Sequence, residues 1–196
     1  MELKNSRTLV NLMRAFAGEC QARTRYEFAA ASAAKEKLQC VEQAFRYTAG
    51  QEYEHAGVFL NRIRASGVDN IEITCGFPVD LQTDALSLLR TSHHAEFEEY
   101  RIVYPDFART AQEEGFAEIA TIFDRIAAIE GTHADRFDRL ASQIETGRLF
   151  SDAPNTVWVC LNCGHVFTGA QPPQNCPVCA HDQGYFIRQA YAPYTK

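Results

Sequence analysis

The sequence predicts a mainly α protein: a four-helix bundle with a long crossover between helices 2 and 3, and a small C-terminal domain. Three observations carry this. Apolar residues recur at steps of three and four over four long segments, which is the period of a helix with one buried face. Residues 67–82 break that pattern with Gly, Pro and Asp, and so long a connection inside a compact domain suits a crossover that travels the length of a bundle. After residue 147 the pattern stops, and two C-x-x-C pairs follow.

Helix 1 is expected from about Ser6 to Lys37, with Leu9, Leu12, Phe16, Glu19, Tyr26 and Ala30 near one face. Helix 2 is expected from roughly Cys40 to Ser66, ahead of Gly67. Its stripe is Val41, Phe45, Thr48, Glu52, His55, Phe59 and either Arg62 or Ile63. Helix 3 starts near Thr83 or Asp84, either of which can cap it, and carries Leu89, Ser92, Glu96, Glu99, Val103 and Phe107. Pro105 should kink it just after Tyr104, and it ends near Gly115. Helix 4 runs on to about Glu145, before Gly147. Its stripe of Ile119, Phe123, Ile126, Glu130, His133, Phe137, Leu140 and Ile144 is the most regular of the four. The domains expected are residues 1–147, a linker at 148–156, and residues 157–196.

Acids and imidazoles occupy the middle of every stripe: Glu19, Glu52-x-x-His55, Glu96-x-x-Glu99 and Glu130-x-x-His133. One i,i+3 acidic pair would read as a solvated helix face. Four such segments, each with acids on its apolar side, do not. Five carboxylates in one core would each cost several kcal/mol, unless strongly positive charge sits among them. Two metal ions supply that charge, and carboxylate with imidazole suits iron or manganese, with zinc as the alternative. A Glu from each of two helices plus Glu-x-x-His from the other two is a known di-iron bundle pattern. Helix 3 exceeds it by one acid. Tyr26 and Tyr104 lie one or two turns from proposed ligands, where a phenol either hydrogen-bonds a ligand carboxylate or simply packs in the core.

Cys160-x-x-Cys163 and Cys176-x-x-Cys179 make two tight turns able to face each other as a tetrahedral thiolate site. A segment this short, with so few large apolar residues, needs the metal to fold. Thiolate geometry leaves zinc and iron open, and the neighbouring bundle favours iron because a redox di-metal site needs an electron source. Cys20, Cys40 and Cys75 read as small apolar fillers, and His165 and His181 as solvent-facing. The net charge is −6, and Asp152, Asp182, Arg188 and Lys196 cancel in the last 46 residues, so the excess acid belongs to the bundle. That argues against nucleic acid as a partner. No apolar run is long enough to span a bilayer, and the N-terminus does not read as a signal peptide, so a cytoplasmic protein with no membrane association is expected.

Over nearly its full length the chain resembles the rubrerythrins. The resemblance is carried by AFAGECQARTRY at 15–26, QEYEHA at 51–56, EFEEYRIVYPDFA at 96–108, EEGF at 113–116, IEGTHADRF at 129–137, and the two cysteine turns with VWVCLNCGH. It implies a ferritin-like bundle and a rubredoxin-like tail. It further implies that Glu52 and Glu130 bridge two irons, that Glu19 binds one, and that Glu96 with His133 binds the other. The first iron would exchange Glu99 for His55 on reduction. The tail would hold one iron through Cys160, Cys163, Cys176 and Cys179. The activity implied is reduction of hydrogen peroxide in oxidative-stress defence. Electrons would come from an external donor such as a rubredoxin or an NAD(P)H-dependent reductase, in a homodimer or higher homo-oligomer. Two rival readings are an iron-oxidising storage bundle and a non-enzymatic adaptor with a zinc-filled tail.

Overall fold

A computed structural model describes residues 2–192; Met1 and the last four residues of the expected tail domain lie outside them. Four long rods form, as the stripes require. α1 spans Arg7–Lys35 and α2 Gln39–Arg64. The third rod is α3 (Ala85–Glu98), a π-helical segment (Glu99–Val103) and α4 (Tyr104–Glu113), and the fourth is α5 (Ala117–Glu145). Ser6 caps α1 by accepting from the Leu9 N–H at 3.1 Å, and Asp84 caps α3 by accepting from Ser87 N–H at 2.9 Å.

The expected kink after Tyr104 is displaced. The distortion lies before the proline, over residues 99–103, where the Tyr104 N–H reaches back to the Glu99 carbonyl. Pro105 has no N–H to give and its ring crowds the carbonyl four residues back, so the preceding turn widens to i→i+5 bonding.

Two apolar clusters fill the bundle. One joins Tyr26 and Ala33 of α1, Val41 and Phe45 of α2, Leu89 of α3, and Phe137 and Leu140 of α5. The other joins Leu9, Leu12, Phe59, Tyr104, Ile119 and Phe123. The starts of α2 and α3 share the first cluster, so these helices run parallel and the crossover must traverse the bundle. It is pinned on the way: Gln21 Nε2 donates to Pro78 O at 2.8 Å, and Arg25 holds Asp80 at 2.6 and 2.8 Å.

The tail is a three-stranded antiparallel sheet of β1 (Val157–Cys160), β2 (Val166–Thr168) and β3 (Phe186–Arg188), in the order β2-β1-β3. Its core is Trp158, Cys160, Cys176 and Phe186. Arg188 fastens it to the linker, bonding Asp152 and the carbonyls of Arg148, Leu149 and Ser151. Gly184 seats it on the α1–α2 turn: a Cβ there would lie 1.9 Å from Lys37 O, a contact only glycine permits.

Candidate metal centres

A polar layer lies between the two apolar clusters. Glu19, Glu52, Glu96, Glu130, His55 and His133 are all buried there, and His133 and both middle glutamates of the Glu-x-x-His pairs have no exposed surface. They fall into two groups of four that share two members: Glu19, Glu52, His55 and Glu130, and Glu52, Glu96, Glu130 and His133. The oxygens divide cleanly. His55 Nδ1 lies 3.0 Å from Glu130 Oε1, 3.4 Å from Glu52 Oε2 and 3.7 Å from Glu19 Oε2. His133 Nδ1 lies 2.8 Å from Glu130 Oε2, 2.9 Å from Glu52 Oε1 and 3.6 Å from Glu96 Oε2. Glu52 and Glu130 thus turn one oxygen to each side.

None of these eight atoms has a hydrogen-bond partner, although each is buried. Leaving a buried polar atom unpaired costs about 1–3 kcal/mol, so eight together call for positive charge among them. Donors about 2.1 Å from one hard cation in octahedral directions stand about 3 Å apart, which matches the separations found. The residues fit two cations, each facing four donors.

Electrostatics says the same. With protein groups alone, burial and then the Glu130 charge push Glu19 well above the usual carboxylate range. Burial and Glu52 push Glu96 up to about 8. Burial pushes Glu52 upward too, but the two imidazoles overcome it and hold it low. Burial acts against a charged His133, yet Glu130 and Glu52 raise it to about 12, and the same carboxylates raise His55. The cluster therefore holds protons wherever it lacks other positive charge, and metal ions would displace them.

The outer oxygens are held by the phenols. Tyr26 donates to Glu96 Oε1 and Tyr104 to Glu19 Oε1, one from each apolar cluster, so each ring packs in the core while its hydroxyl reaches the polar layer. Glu99 stands apart from both groups, half-buried at the start of the π segment, with its carboxylate toward Gly18. Sequence reasoning missed Gln51 and Arg136. Gln51 Oε1 lies 3.1 Å from His133 Nε2, and Arg136 Nη1 donates to Gln51 Oε1 at 3.2 Å and to Thr48 Oγ1 at 2.7 Å. With Nε2–H donating to Gln51 Oε1, the neutral ring keeps the Nδ1 lone pair free for a metal ion. Gln51 sits one residue off the stripe, so periodicity could not flag it.

In the tail, Cys160 Sγ is 3.8 Å from Cys179 Sγ, and Cys163 Sγ is 3.6 Å from Cys176 Sγ. Four sulfurs about 2.3 Å from a tetrahedral metal stand about 3.8 Å apart. The two turns are built alike: Cys160 N–H donates to His165 O and Cys176 N–H to His181 O, at 2.9 and 2.7 Å. Those histidines are half-buried instead of solvent-facing, because their backbones close the turns. Cys40 is buried, as expected of a filler, but Cys20 and Cys75 are exposed. One follows Glu19 onto the outer helix face, and the other lies on the crossover, where there is no core to fill. Among the described residues no helix is long and apolar enough to cross a membrane.

Comparison with known proteins covers both parts of the chain. The rubrerythrin family model matches residues 11–141, and a model of the rubredoxin-like domain of rubrerythrin matches residues 158–187. The chain is 42% identical to rubrerythrin of Clostridium perfringens over 185 residues, covering 94% of this chain and 95% of that one. It is also 42% identical to rubrerythrin of Porphyromonas gingivalis, covering 94% and 90%. Among solved structures, fully reduced, all-ferrous nigerythrin aligns with a TM-score of 0.63 at 24% identity, covering 96% of this chain and 93% of that one. A bacterioferritin of Desulfovibrio desulfuricans aligns at 0.66 and 22%, covering 72% and 82%. At such identities the likeness is one of fold.

Proposed function

This chain belongs to the rubrerythrin family, and from that premise we propose that it is a non-haem di-iron peroxidase reducing hydrogen peroxide to water in oxidative-stress defence. Its cofactors are iron, two ions in the bundle and one in the four-cysteine site. Residues 1–147 are the reacting domain, 148–156 the connector, and 157–196 the electron-carrying domain. The observation that carries the reading is the pair of four-donor groups sharing Glu52 and Glu130.

Bound as a diferrous pair, the irons supply two electrons and Lewis acidity, the needs of H2O2 + 2e− + 2H+ → 2H2O. The chain's own residues do the rest. Glu52 and Glu130, which turn one oxygen to each side, would hold both ions. Glu19 and Glu96 each offer one oxygen inward while Tyr104 and Tyr26 fix the other. His133 is kept in one tautomer by Gln51. Glu99 and His55 would both serve the first iron, and in this structure His55 is the one turned inward. The apolar clusters on either side exclude bulk water from the layer.

Cys160, Cys163, Cys176 and Cys179 would hold an iron able to return electrons, with a rubredoxin or an NAD(P)H-dependent reductase as the external donor. Gly184 seats this domain beside Lys37 and Gln39. From there Glu52 lies thirteen residues along α2, about 20 Å at about 1.5 Å per residue. That offset favours delivery to the bundle of a partner subunit in a homodimer or larger homo-oligomer.

The test uses Cys160→Ser in the iron-loaded full chain. Single-turnover oxidation of the reduced bundle by hydrogen peroxide should be unchanged, while steady turnover with an external reductant falls at least a hundredfold. Steady turnover at the wild-type rate removes the tail from the mechanism. Reaction with oxygen but not with peroxide would instead mark an iron-oxidising storage bundle.

A further inference from the structure

The crossover does more than connect. Where it passes α1 and the third rod it closes a cavity of about 180 Å³, whose lining includes Gly18, Cys75, Phe77, Pro78, Glu99 and Tyr104. Two of these touch the metal layer directly: Tyr104 donates to Glu19, and Glu99 is a proposed ligand. A larger cavity of about 310 Å³, between α2, α5 and the tail, is lined by none of the proposed iron ligands.

We propose that the smaller cavity is the peroxide's way in, and that Phe77 facing Gly18 is the gate that restricts it to hydrogen peroxide over bulky organic hydroperoxides. The proposal rests on the peroxidase reading and names its substrate class. The passage exists because residue 18 has no side chain. A Cβ there would lie 3.7 Å from Phe77 Cε1 and 3.8 Å from Glu99 Oε1, so any larger group would fill the gap between gate and ligand. The gate is held in place. Within three residues of Phe77 the crossover is tied to α1 twice, through Pro78 O and Gln21 and through Asp80 and Arg25. Phe77 itself is 40% exposed, so one side of its ring faces solvent while its Cε1 edge faces Gly18, as a residue at the mouth of a passage must. The constriction carries the selectivity: a Cβ at residue 18 would already be in van der Waals contact with both Phe77 and Glu99, so the gap is about one methyl group wide, which admits hydrogen peroxide and not an aryl group.

Iron-loaded, reduced full-length wild type, Phe77→Leu and Phe77→Ala should be mixed with hydrogen peroxide or with cumene hydroperoxide. The second reacts as ROOH + 2e− + 2H+ → ROH + H2O. Bundle oxidation is followed at a fixed concentration of each. Wild type should favour hydrogen peroxide at least a hundredfold. That preference should shrink about threefold in Phe77→Leu and at least tenfold in Phe77→Ala. A second readout needs no turnover. Loss of bundle iron to 2,2′-bipyridine should speed up at least fivefold in Phe77→Ala, with loss of the coloured tail iron unaltered. An unaltered preference, or an unaltered rate of iron loss, overturns the gate. If the reduced wild type does not react with hydrogen peroxide at all, the peroxidase reading fails on its own, and the rate of iron loss decides the way in.

Discussion

The two metal sites of this chain are built on opposite plans. In the bundle, the donors project from long helices whose apolar faces pack above and below the polar layer, so the scaffold has a core apart from the metals. In the tail, the buried core is Trp158, Cys160, Cys176 and Phe186, and two of those four residues are themselves metal ligands. The first site is buried, with hard oxygen and nitrogen donors. The second lies near the surface, with Cys163 exposed and Cys179 partly so. Chemistry on a substrate needs the first arrangement, in which surroundings fix each donor. The proposed electron carrier suits the second, in which the centre lies near the surface. A bundle can stand without its ions; a tail of this size cannot.

Complete removal of iron by a chelator tests that contrast most strongly. The single tryptophan, Trp158, should lose its buried fluorescence as the tail unfolds, while most of the helical circular dichroism persists. A tail that keeps Trp158 buried without metal would break the comparison.

Charge sharpens it next. In the metal-free fold, Glu96 is raised from 4.5 to about 8 by burial and by Glu52. Between those values the folded chain binds more protons than the unfolded one, so this group's stabilising contribution is present below pH 4.5 and is lost as pH rises through about 8. Glu96→Gln removes the dependence. At pH 8 the metal-free variant should be more stable than metal-free wild type by on the order of 2 kcal/mol in urea unfolding, after allowance for relaxation around a buried charge. The same variant should bind iron less tightly. Equal stability of the two metal-free proteins at pH 5 and pH 8 would mean the carboxylates are not crowded together.

A smaller effect probes the support behind the ligands. Gln51→Leu removes the partner of His133 Nε2 and leaves Arg136 bonded to Thr48. Iron affinity in the bundle should fall about tenfold, with an altered imidazole signature in the spectrum and little change in helix content. Affinity equal to wild type would show that the His133 ring is held by packing alone.

How far the site was legible from sequence follows from which properties are local. Glu19, Glu52, Glu96 and Glu130 could be picked out because each interrupts its own apolar stripe, and His55 and His133 because they follow an acid by one turn. Tyr26 and Tyr104 could be placed near the ligands, but which carboxylate each would hold depends on how the helices cross. Gln51 was invisible, lying about 100° round the helix from Glu52. Pro105 announced a distortion and misplaced it, because the lost hydrogen bond belongs to the carbonyl four residues earlier.

By itself, then, the sequence determined the donor types, the helices that bear them and the two-part architecture, since side-chain chemistry and a repeat of 3.6 residues are written along the chain. Tertiary structure alone decided that Glu52 and Glu130 face both sides while Glu99 stands apart, that Gln51 sits behind His133, and that Phe77 closes a cavity against Gly18. Each of these is a meeting between segments far apart in sequence, and the angle and height at which packed elements meet are set by the whole core.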